Sequence, residues 1–560
     1  MYAVMVLCAL LGFLVPAVRA GMVNPTRVDL ILHGGRVLTL TDPEPSPPPT
    51  AVAIAGDRVV RVGDDTAVLA LRDSGTVVIP LDGAVVTPGF HDAHAHLYGL
   101  GKALEQVDLT GTRSAREVVA RVAMKAAILP PGAWVEGRGW DQNDWEAAEF
   151  PHRNLLDEAV GDRPVLLRRV DGHAAWASSA ALRLAGITAV TPDPPGGRLI
   201  RDATGEPTGV LVDNAYLLVS EHVPVADRQQ MLNRIKAAME QCLRYGITGV
   251  QEAGVTAERV RLYKEMQQQG KLAIRLYVML DDDEQTLAAG FTAGPYISPD
   301  GLLVVRAIKL YADGALGSRG ALLLADYSDE PGNRGLLVTP VQHLREVARQ
   351  AGRTGFQVCT HAIGDGANRL VLDIYAELLT ELALTDARWR IEHAQVLHPA
   401  DIPRFAELGV IASMQPVHCT SDMDWAGDRL GSARIEGAYA WRRLQDAGVR
   451  LCFGTDFPVE HVDPLAGIYA ARTRTHPDGT PSGGWQPDQC LTGREALQLY
   501  TVGSAYAAFQ EAELGRVAPG MLADLTVLSD DPTGSPCTDL LAIRVLLTVV
   551  GGKIRYDGRS

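Results

Sequence analysis

The stretch HDAHAH, residues 91–96, carries three imidazoles and a carboxylate within six positions. If residues 85–97 form a strand, side chains two positions apart point to the same side, so His94 and His96 face a common point. Two neutral imidazoles at the end of one strand are typical ligands of a borderline divalent cation such as zinc. The stretch therefore indicates a metal site, although a short His motif also occurs by chance.

The other two polar residues of this stretch are expected to act differently. His91 falls on the opposite face of a regular strand and is predicted to be structural. Asp92 shares the parity of the two ligands, so we expect it to orient one of them without binding the metal itself.

Four more reactive side chains lie in predicted strand segments far downstream: Lys309 in VVRAIKLYADG, His361 in FQVCTHAIG, His393 in RWRIEHAQ and Asp456 in VRLCFGTDF. Each falls at the carboxyl end of a predicted strand, which is the face where α/β barrels build active sites. A lone histidine there is more often structural, but several such groups at successive strand ends favour a site. Lys309 could instead form a buried ion pair with a carboxylate such as Asp313.

Apolar β-rich runs alternate with helical segments through the middle of the chain, which is typical of parallel strands joined by crossover helices. Strand candidates begin near Val85, Ile247, Leu272, Leu303, Gly355, Arg388, Gly409 and Val449. This pattern predicts an α/β fold with a (β/α)8, TIM-type barrel. The interval from about 100 to 240 is too long for one loop and one helix, so it predicts an inserted subdomain.

Short strands separated by turns occur near both termini of the chain. We predict one small β-sandwich built from residues 21–84 and 511–560, with the barrel spanning 85–510. Two unrelated β-caps are the alternative.

Residues 1–20 combine an apolar run with the sequence Val18-Arg19-Ala20, which resembles a signal-peptide cleavage site. The run is too short for a comfortable membrane span. We therefore expect a secreted or periplasmic protein with no stable membrane span after signal removal. The protein would be cytoplasmic if the run is not a working signal.

Composition restricts the partners. The chain has 560 residues, of which 47% are hydrophobic and 21% charged, as in a globular protein. Its formal net charge of -15 and its lack of a long Lys/Arg run argue against nucleic acid or an anionic membrane as a partner. A small-molecule partner is expected, and a homo-oligomer is left open.

Together, the segments PGFHDAHAH, KLYADGALGSR, HAIGDGA, RIEHAQ and GTDFPVE resemble the amidohydrolase superfamily and, within it, the YtcJ-like branch of metal-dependent hydrolases. The resemblance covers nearly the whole chain. It implies hydrolysis of a C–N bond in an amide-type small molecule, such as an N-acyl or N-formyl compound. It also implies one or two divalent cations, which we expect to be zinc, with the ligands His94, His96, Lys309, His361 and His393.

The resemblance further implies how these groups work. Burial favours the neutral amine of Lys309, which can add carbon dioxide to form a carbamate that bridges two cations. The cations would share a hydroxide that attacks the substrate. Asp456 would take the proton of that hydroxide and deliver it to the leaving nitrogen, acting first as base and then as acid.

Further segments similar to that branch, including GRGWDQNDW and MQPVHCTSDMDW, would line or cover the pocket. His173 and His418 are candidates to hold a substrate carbonyl or carboxylate, and Trp140 and Trp425 are candidate apolar walls. A packed or hydrogen-bonded structural role is the alternative for each. Arg319 could bind an anionic substrate group bidentately or pair with a nearby acid.

Three functions compete. A binuclear C–N hydrolase with a bridging Lys309 is favoured by the full ligand set. A deaminase-like hydrolase of the same fold would hold one metal mainly through the histidines. A metal- or ligand-binding protein without turnover belongs to another class, and Asp456 weighs against it because binding alone needs no proton carrier.

Overall fold

The computed structural model describes residues 27–147, 149–169, 174–194, 197–534 and 537–559. The predicted signal peptide, residues 1–20, and His173 lie outside the described residues. Within these ranges, no helix is both long enough and apolar enough to cross a bilayer.

The N-terminal part consists of short strands rich in valine and isoleucine, side chains that suit a pleated, half-buried surface. Asp64 caps the helix between them, since its side chain accepts a hydrogen bond from the Ala67 backbone N–H at 2.8 Å. The elements are β1 (Leu30–His33), β2 (Arg36–Val37), β3 (Ala51–Ala55), β4 (Arg58–Gly63), α1 (Asp65–Leu69), β5 (Val77–Pro80) and β6 (Val85–Pro88).

The first barrel strand is β7 (Phe90–Ala95), so the strand predicted over residues 85–97 is in fact two strands. The strand is interrupted at Gly89, which packs so closely on Thr248 that a Cβ added at Gly89 would lie 2.2 Å from the Thr248 hydroxyl oxygen. Pro88, the residue before, has no N–H to donate to a ladder. The preceding strand β6 therefore joins a different sheet, and only β7 enters the barrel.

An insertion follows β7 and forms its own mixed sheet, in the order β12-β13-β11-β10-β9-β8. Its apolar core contains Trp140 and Trp176, both 0% exposed. Its elements and the helices that flank it are α2 (Leu97–Glu105), β8 (Val107–Asp108), α3 (Ala115–Ile128), β9 (Val135–Trp140), α4 (Asn154–Val160), β10 (Val165–Arg169), β11 (Ala174–Ala177), α5 (Ser179–Leu184), β12 (Gly197–Arg201), β13 (Pro207–Asp213) and α6 (Leu217–Ser220).

The remaining barrel strands are parallel to β7 and follow it in chain order around the barrel. An additional short strand, β16, pairs antiparallel with one of them. The strands are β14 (Ile247–Val255), β15 (Arg275–Leu280), β16 (Tyr296–Ile297), β17 (Leu303–Tyr311), β18 (Gln357–Ala362), β19 (Arg390–His393), β20 (Ile411–Met414) and β21 (Leu451–Phe453).

Backbone hydrogen bonds join the first and last barrel strands just beyond β21. The Asp456 N–H donates to the His94 carbonyl at 2.8 Å, and the His96 N–H donates to the Phe457 carbonyl at 2.9 Å. The barrel is thus closed at its carboxyl end by residues of the predicted site, and the fold is the expected α/β, TIM-type barrel.

Helices cover the outside of the barrel with apolar faces at helical spacing. The helix that precedes β18 buries Leu344, Val347, Ala348 and Ala351 and ends at Gly355, whose φ is +82°. The helices of this part are α7 (Arg228–Arg244), α8 (Ala257–Gln268), α9 (Glu284–Ala293), α10 (Val341–Thr354), α11 (Asp365–Glu381), α12 (Ile402–Leu408), α13 (Pro416–Arg434), α14 (Trp441–Asp446), α15 (Pro464–Thr473), α16 (Gly493–Gln498) and α17 (Ser504–Ala507).

The C-terminal part adds β22 (Leu525–Leu528), α18 (Cys537–Leu540), β23 (Val545–Val550) and β24 (Lys553–Asp557). One sheet has the order β4-β3-β1-β5, and a second has the order β2-β6-β22-β23-β24. Apolar residues of both sheets share one core, which includes Leu32, Val52, Val86, Leu525 and Val549. Strands from both ends of the chain therefore pack together beside the barrel.

Candidate active site

Three side chains converge at the carboxyl end of the barrel. His94 lies on β7, His96 directly follows that strand as the N-terminal cap residue of α2, and Asp456 follows β21. Asp456 Oδ1 lies 3.6 Å from His94 Nε2 and 3.1 Å from His96 Nε2. The backbone of Asp456 adopts a left-handed conformation with φ +60°, a strained conformation of the kind found at functional sites. These three residues form one candidate metal cluster.

Lys309, His361 and His393 complete this cluster from β17, β18 and β19. Lys309 Nζ lies 3.1 Å from Nε2 of His94. The ring centroid of His393 lies 4.5 Å from that of His361 and 5.0 Å from that of His94. The structure therefore brings together all the residues predicted as metal ligands, as well as Asp456. We call these six residues the ligand cluster.

The electrostatics of the ligand cluster suit a cation. Burial and the charge of Lys309 lower the pKa of His94 to about 4 and that of His361 to about 3. These imidazoles are neutral near pH 7, as metal ligands must be. Burial also lowers the pKa of Lys309 below its usual range.

Two buried polar atoms of the ligand cluster have no hydrogen-bond partner among the described residues. They are His361 Nε2 and Asp456 Oδ1. Burial of an unsatisfied polar atom costs free energy unless another partner is present. The donor set of imidazoles and carboxylate is also the set that zinc prefers. The residues present therefore fit a divalent cation.

His418, on α13, lies between two carboxylates. Its Nε2 is 3.2 Å from Asp456 Oδ2, and its Nδ1 is 3.2 Å from Glu460 Oε1. Burial opposes a charge on the ring, but hydrogen bonds to the two carboxylates outweigh it and raise the pKa of His418 to about 10. Burial would also raise the pKa of Asp456, whereas the hydrogen bond from His418 and the nearby ring of His96 hold it well below its usual range. His393, His418 and Asp456 form a second candidate metal cluster.

Asp92 contacts the backbone of His94 rather than its ring. Its carboxylate accepts hydrogen bonds from the His94 N–H at 3.1 Å and from the Thr455 hydroxyl at 2.7 Å. The ring is instead held by Glu392, whose Oε2 lies 2.5 Å from His94 Nδ1. Sequence reasoning missed Glu392. The available signal was an acidic residue directly before the predicted ligand His393, two positions after Arg390 on the same strand.

Other residues that the sequence suggested have structural contacts. Arg319 pairs with Asp329 at 2.9 Å, the alternative considered for it, and Trp140 lies in the core of the insertion rather than in a pocket wall. Trp140 donates its indole N–H to the Leu167 carbonyl at 2.9 Å. The resemblance of its segment to the family made it a candidate wall, but its indole instead fills the core of the inserted sheet.

Asp313 lies next to the ligand cluster, since its Oδ1 is 3.5 Å from His361 Nε2. Trp425 is partly buried on α13, and its ring would contact a Cβ added at Gly317 at 3.2 Å. Asp313 is not the partner of Lys309, because its carboxylate accepts N–H groups of Leu322, Ile363 and Gly364 at 2.8–2.9 Å. Among the described residues Lys309 and Asp313 thus form no ion pair, and the carboxylates whose charge acts on Lys309 are Glu392 and Asp456.

His91 is buried and apart from the ligand cluster. It is 4% exposed, and burial lowers its pKa to about 4. An added Cβ at Gly249 would lie 3.0 Å from its ring, so the imidazole packs against β14.

The family is decided by residues 77–556, which match the Amidohydrolase family. The chain belongs to this family. This amidohydrolase is 36% identical over 491 residues to YtcJ of Bacillus subtilis, covering 86% of the chain and 91% of that protein. It is 30% identical over 522 residues to an N-substituted formamide deformylase of Arthrobacter pascens, covering 90% of the chain and 95% of that protein.

A solved structure supports the same assignment. A metal-dependent hydrolase of Pyrococcus furiosus has a TM-score of 0.74 and 30% identity to this amidohydrolase. The match covers 90% of the chain and 99% of that structure. The protein is thus a hydrolase acting on carbon–nitrogen bonds, and the interpretation as a binding protein without turnover is set aside.

Proposed function

We propose that this amidohydrolase is a metal-dependent enzyme that hydrolyses an amide-type bond, such as an N-formyl or N-acyl bond, in a small molecule. The observation that carries the proposal is the convergence of the ligand cluster on the carboxyl face of the barrel. Its Asp456 Oδ1 is buried, has no hydrogen-bond partner among the described residues, and faces two imidazoles.

We propose that His94, His96 and Asp456 hold one cation, with Lys309, His361 and His393 completing a site for one or two. Zinc is the favoured ion because the donors are imidazole nitrogens and carboxylate oxygens. A divalent cation bound there supplies Lewis-acid chemistry, since it polarises a carbonyl and makes water more acidic.

Asp456 is the proposed proton carrier. The carboxylate is ionised, because its pKa is held well below the usual range. It takes a proton from the attacking water as the new C–O bond forms at the substrate carbonyl. It then gives that proton to the leaving nitrogen as the C–N bond breaks, which releases a carboxylic acid and an amine.

His418 is proposed to bind the carbonyl oxygen of the substrate. Its ring lies next to Asp456 and carries a proton near neutral pH, because its pKa is raised to about 10. A protonated imidazole stabilises negative charge that develops on a carbonyl oxygen. Glu460, on the other ring nitrogen at 3.2 Å, holds the ring in place.

Lys309 distinguishes the binuclear form of the proposal from the mononuclear one. Burial lowers its pKa, which favours the amine that adds carbon dioxide with loss of one proton to give a carbamate. In the mononuclear alternative Lys309 stays an amine beside His94, and the histidines and Asp456 hold one ion. Intact-mass analysis of the native protein tests for the added carbon dioxide, and its metal content separates one ion from two.

N-formyl amines are the first substrates to test, because an N-substituted formamide deformylase is 30% identical to this chain over 522 residues. The experiment is a panel of N-formyl and N-acyl amines incubated with zinc-loaded protein, with release of the free amine measured. Amine release from at least one compound, lost after chelation, supports the proposal. No release from any compound of the panel would contradict this substrate class.

A further inference from the structure

A buried ion pair in the barrel interior leads to one proposed metal ligand. Arg390 and Glu392 lie on β19, and both side chains are 0% exposed. Arg390 Nε lies 2.7 Å from Glu392 Oε1, and Arg390 Nη2 donates to Glu392 Oε2 at 3.0 Å. The same Oε2 lies 2.5 Å from Nδ1 of His94. The carboxylate therefore links a fixed cation to the ring of His94.

Arg390 is itself held by other barrel strands. Its Nη2 donates to the Ala93 carbonyl on β7 at 2.6 Å and to the Ser413 hydroxyl on β20 at 2.9 Å. Its Nη1 donates to the side-chain oxygen of Gln251 on β14. Because these strands are fixed by the barrel, Arg390 leaves Glu392 little freedom to move.

Stability alone does not explain this ion pair. Burial of each ion costs several kcal/mol, and apolar residues of similar volume are often equally stabilising. The geometry offers another role. Since a carboxylate only accepts hydrogen bonds, Nδ1 of His94 must carry the proton, which leaves the lone pair on Nε2. Nε2 is the atom that faces Asp456 Oδ1 at 3.6 Å.

We propose that Glu392, braced by Arg390, is a positioning residue that fixes the ring and the tautomer of His94 so that Nε2 can bind the metal. This inference rests on the proposed function, because it needs His94 to be a ligand. Removal of such a carboxylate partner typically weakens metal binding by about 10- to 100-fold.

The chain offers a matched control. Arg275, on β15, and Asp524, just before β22, form a second ion pair with side chains 4% and 3% exposed. Arg275 Nε lies 2.7 Å from Asp524 Oδ2, and Nη2 lies 2.9 Å from Oδ1. Among the described residues, the other hydrogen bond to this carboxylate comes from the Gly551 backbone N–H at 2.8 Å, and Gly551 is not a proposed ligand.

The test measures zinc affinity of the full chain by competition with a fluorescent chelator, together with the melting temperature of the metal-free protein. The variants are Glu392→Gln, the double variant Arg390→Met/Glu392→Leu, and the control Arg275→Met/Asp524→Leu. The double variants leave no buried charge unpaired, so we expect them to fold.

We expect a graded result. Glu392→Gln keeps an acceptor for Nδ1 and should weaken zinc binding by about 10-fold, whereas Arg390→Met/Glu392→Leu should weaken it by about 100-fold. The control should bind zinc within about threefold of wild type, whatever its melting temperature. Wild-type affinity in both Glu392 variants, or an equal loss in the control, would overturn the inference. A wild-type chain that binds no zinc would overturn the proposed function, and this inference with it.

Discussion

Two buried arginine–carboxylate pairs, each with a shortest N···O distance of 2.7 Å, occupy different places in the molecule. Arg275 and Asp524 join the barrel to the sheet formed by both chain ends. Arg390 and Glu392 lie within the barrel, and the Glu392 carboxylate also contacts the ring of His94. Besides its arginine, the Asp524 carboxylate accepts a hydrogen bond from the Gly551 backbone N–H, whereas the Glu392 carboxylate accepts one from His94, a proposed ligand.

The difference indicates that the same kind of ion pair has a different role at each of the two places. A buried ion pair contributes little net stability, but breaking it is costly because one charge remains unpaired. Because breaking the pair is costly, Asp524 holds the C-terminal strands against the barrel. For the same reason, Glu392 holds the His94 imidazole in one orientation. Changes near the first pair should therefore alter stability, whereas changes near the second should alter chemistry.

Among the changes considered, metal removal should have the largest effect on catalytic activity. Dialysis against a chelator should reduce amine release to the level of the uncatalysed control, because the ligand cluster would lack its cation. Added zinc should restore activity. Full turnover in protein shown to be metal-free by elemental analysis would contradict the account.

Lys309→Ala is expected to lose most activity, because a group 3.1 Å from His94 Nε2 is removed from the ligand cluster. In the binuclear form, short-chain carboxylic acids should restore part of it by replacing the carbamate. Activity is measured with and without added acid at saturating substrate. Wild-type activity without added acid would exclude a bridging lysine.

Arg275→Met should alter stability rather than chemistry. It leaves Asp524 buried and unpaired, so the free energy of unfolding should fall by about 3–5 kcal/mol. Denaturant unfolding measures this loss, and kcat of the folded variant should stay within about twofold of wild type. A large fall in kcat without a loss of stability would break the proposed distinction between the two pairs.

Arg319→Gln is expected to have the smallest effect. The guanidinium pairs with Asp329 at 2.9 Å and with Glu330 at 3.4 Å, so it is already neutralised. Both kcat and KM should change less than about twofold for neutral substrates. A large rise in KM would show that Arg319 contacts the substrate after all.

The sequence was informative where periodicity and strand ends determine position. Lys309, His361, His393 and Asp456 each lie near the carboxyl end of a predicted strand, and parallel barrel strands bring their carboxyl ends together. The local geometry could not be predicted in the same way. The break at Gly89 depends on its close contact with Thr248, which is distant in sequence.

Tertiary contacts also explain the residues that sequence reasoning misjudged or missed. Glu392 reaches His94 across the barrel, although 298 positions separate them in the chain. Trp140 is equally compatible with a pocket wall and with a core until its neighbours are known. Here Trp145 and Trp176 surround it, with ring centroids 5.9 and 6.4 Å away.

The most direct test of the account is the turnover of Asp456→Asn with its metal content measured in the same preparation. Asparagine keeps the shape of the side chain but cannot carry the proton, so kcat should fall by about 10²- to 10⁴-fold. Asparagine still offers a side-chain oxygen to the cation, and the histidines and Lys309 remain, so most of the metal should be retained. Turnover near that of wild type on the same substrate would contradict the role of Asp456 as the proton carrier.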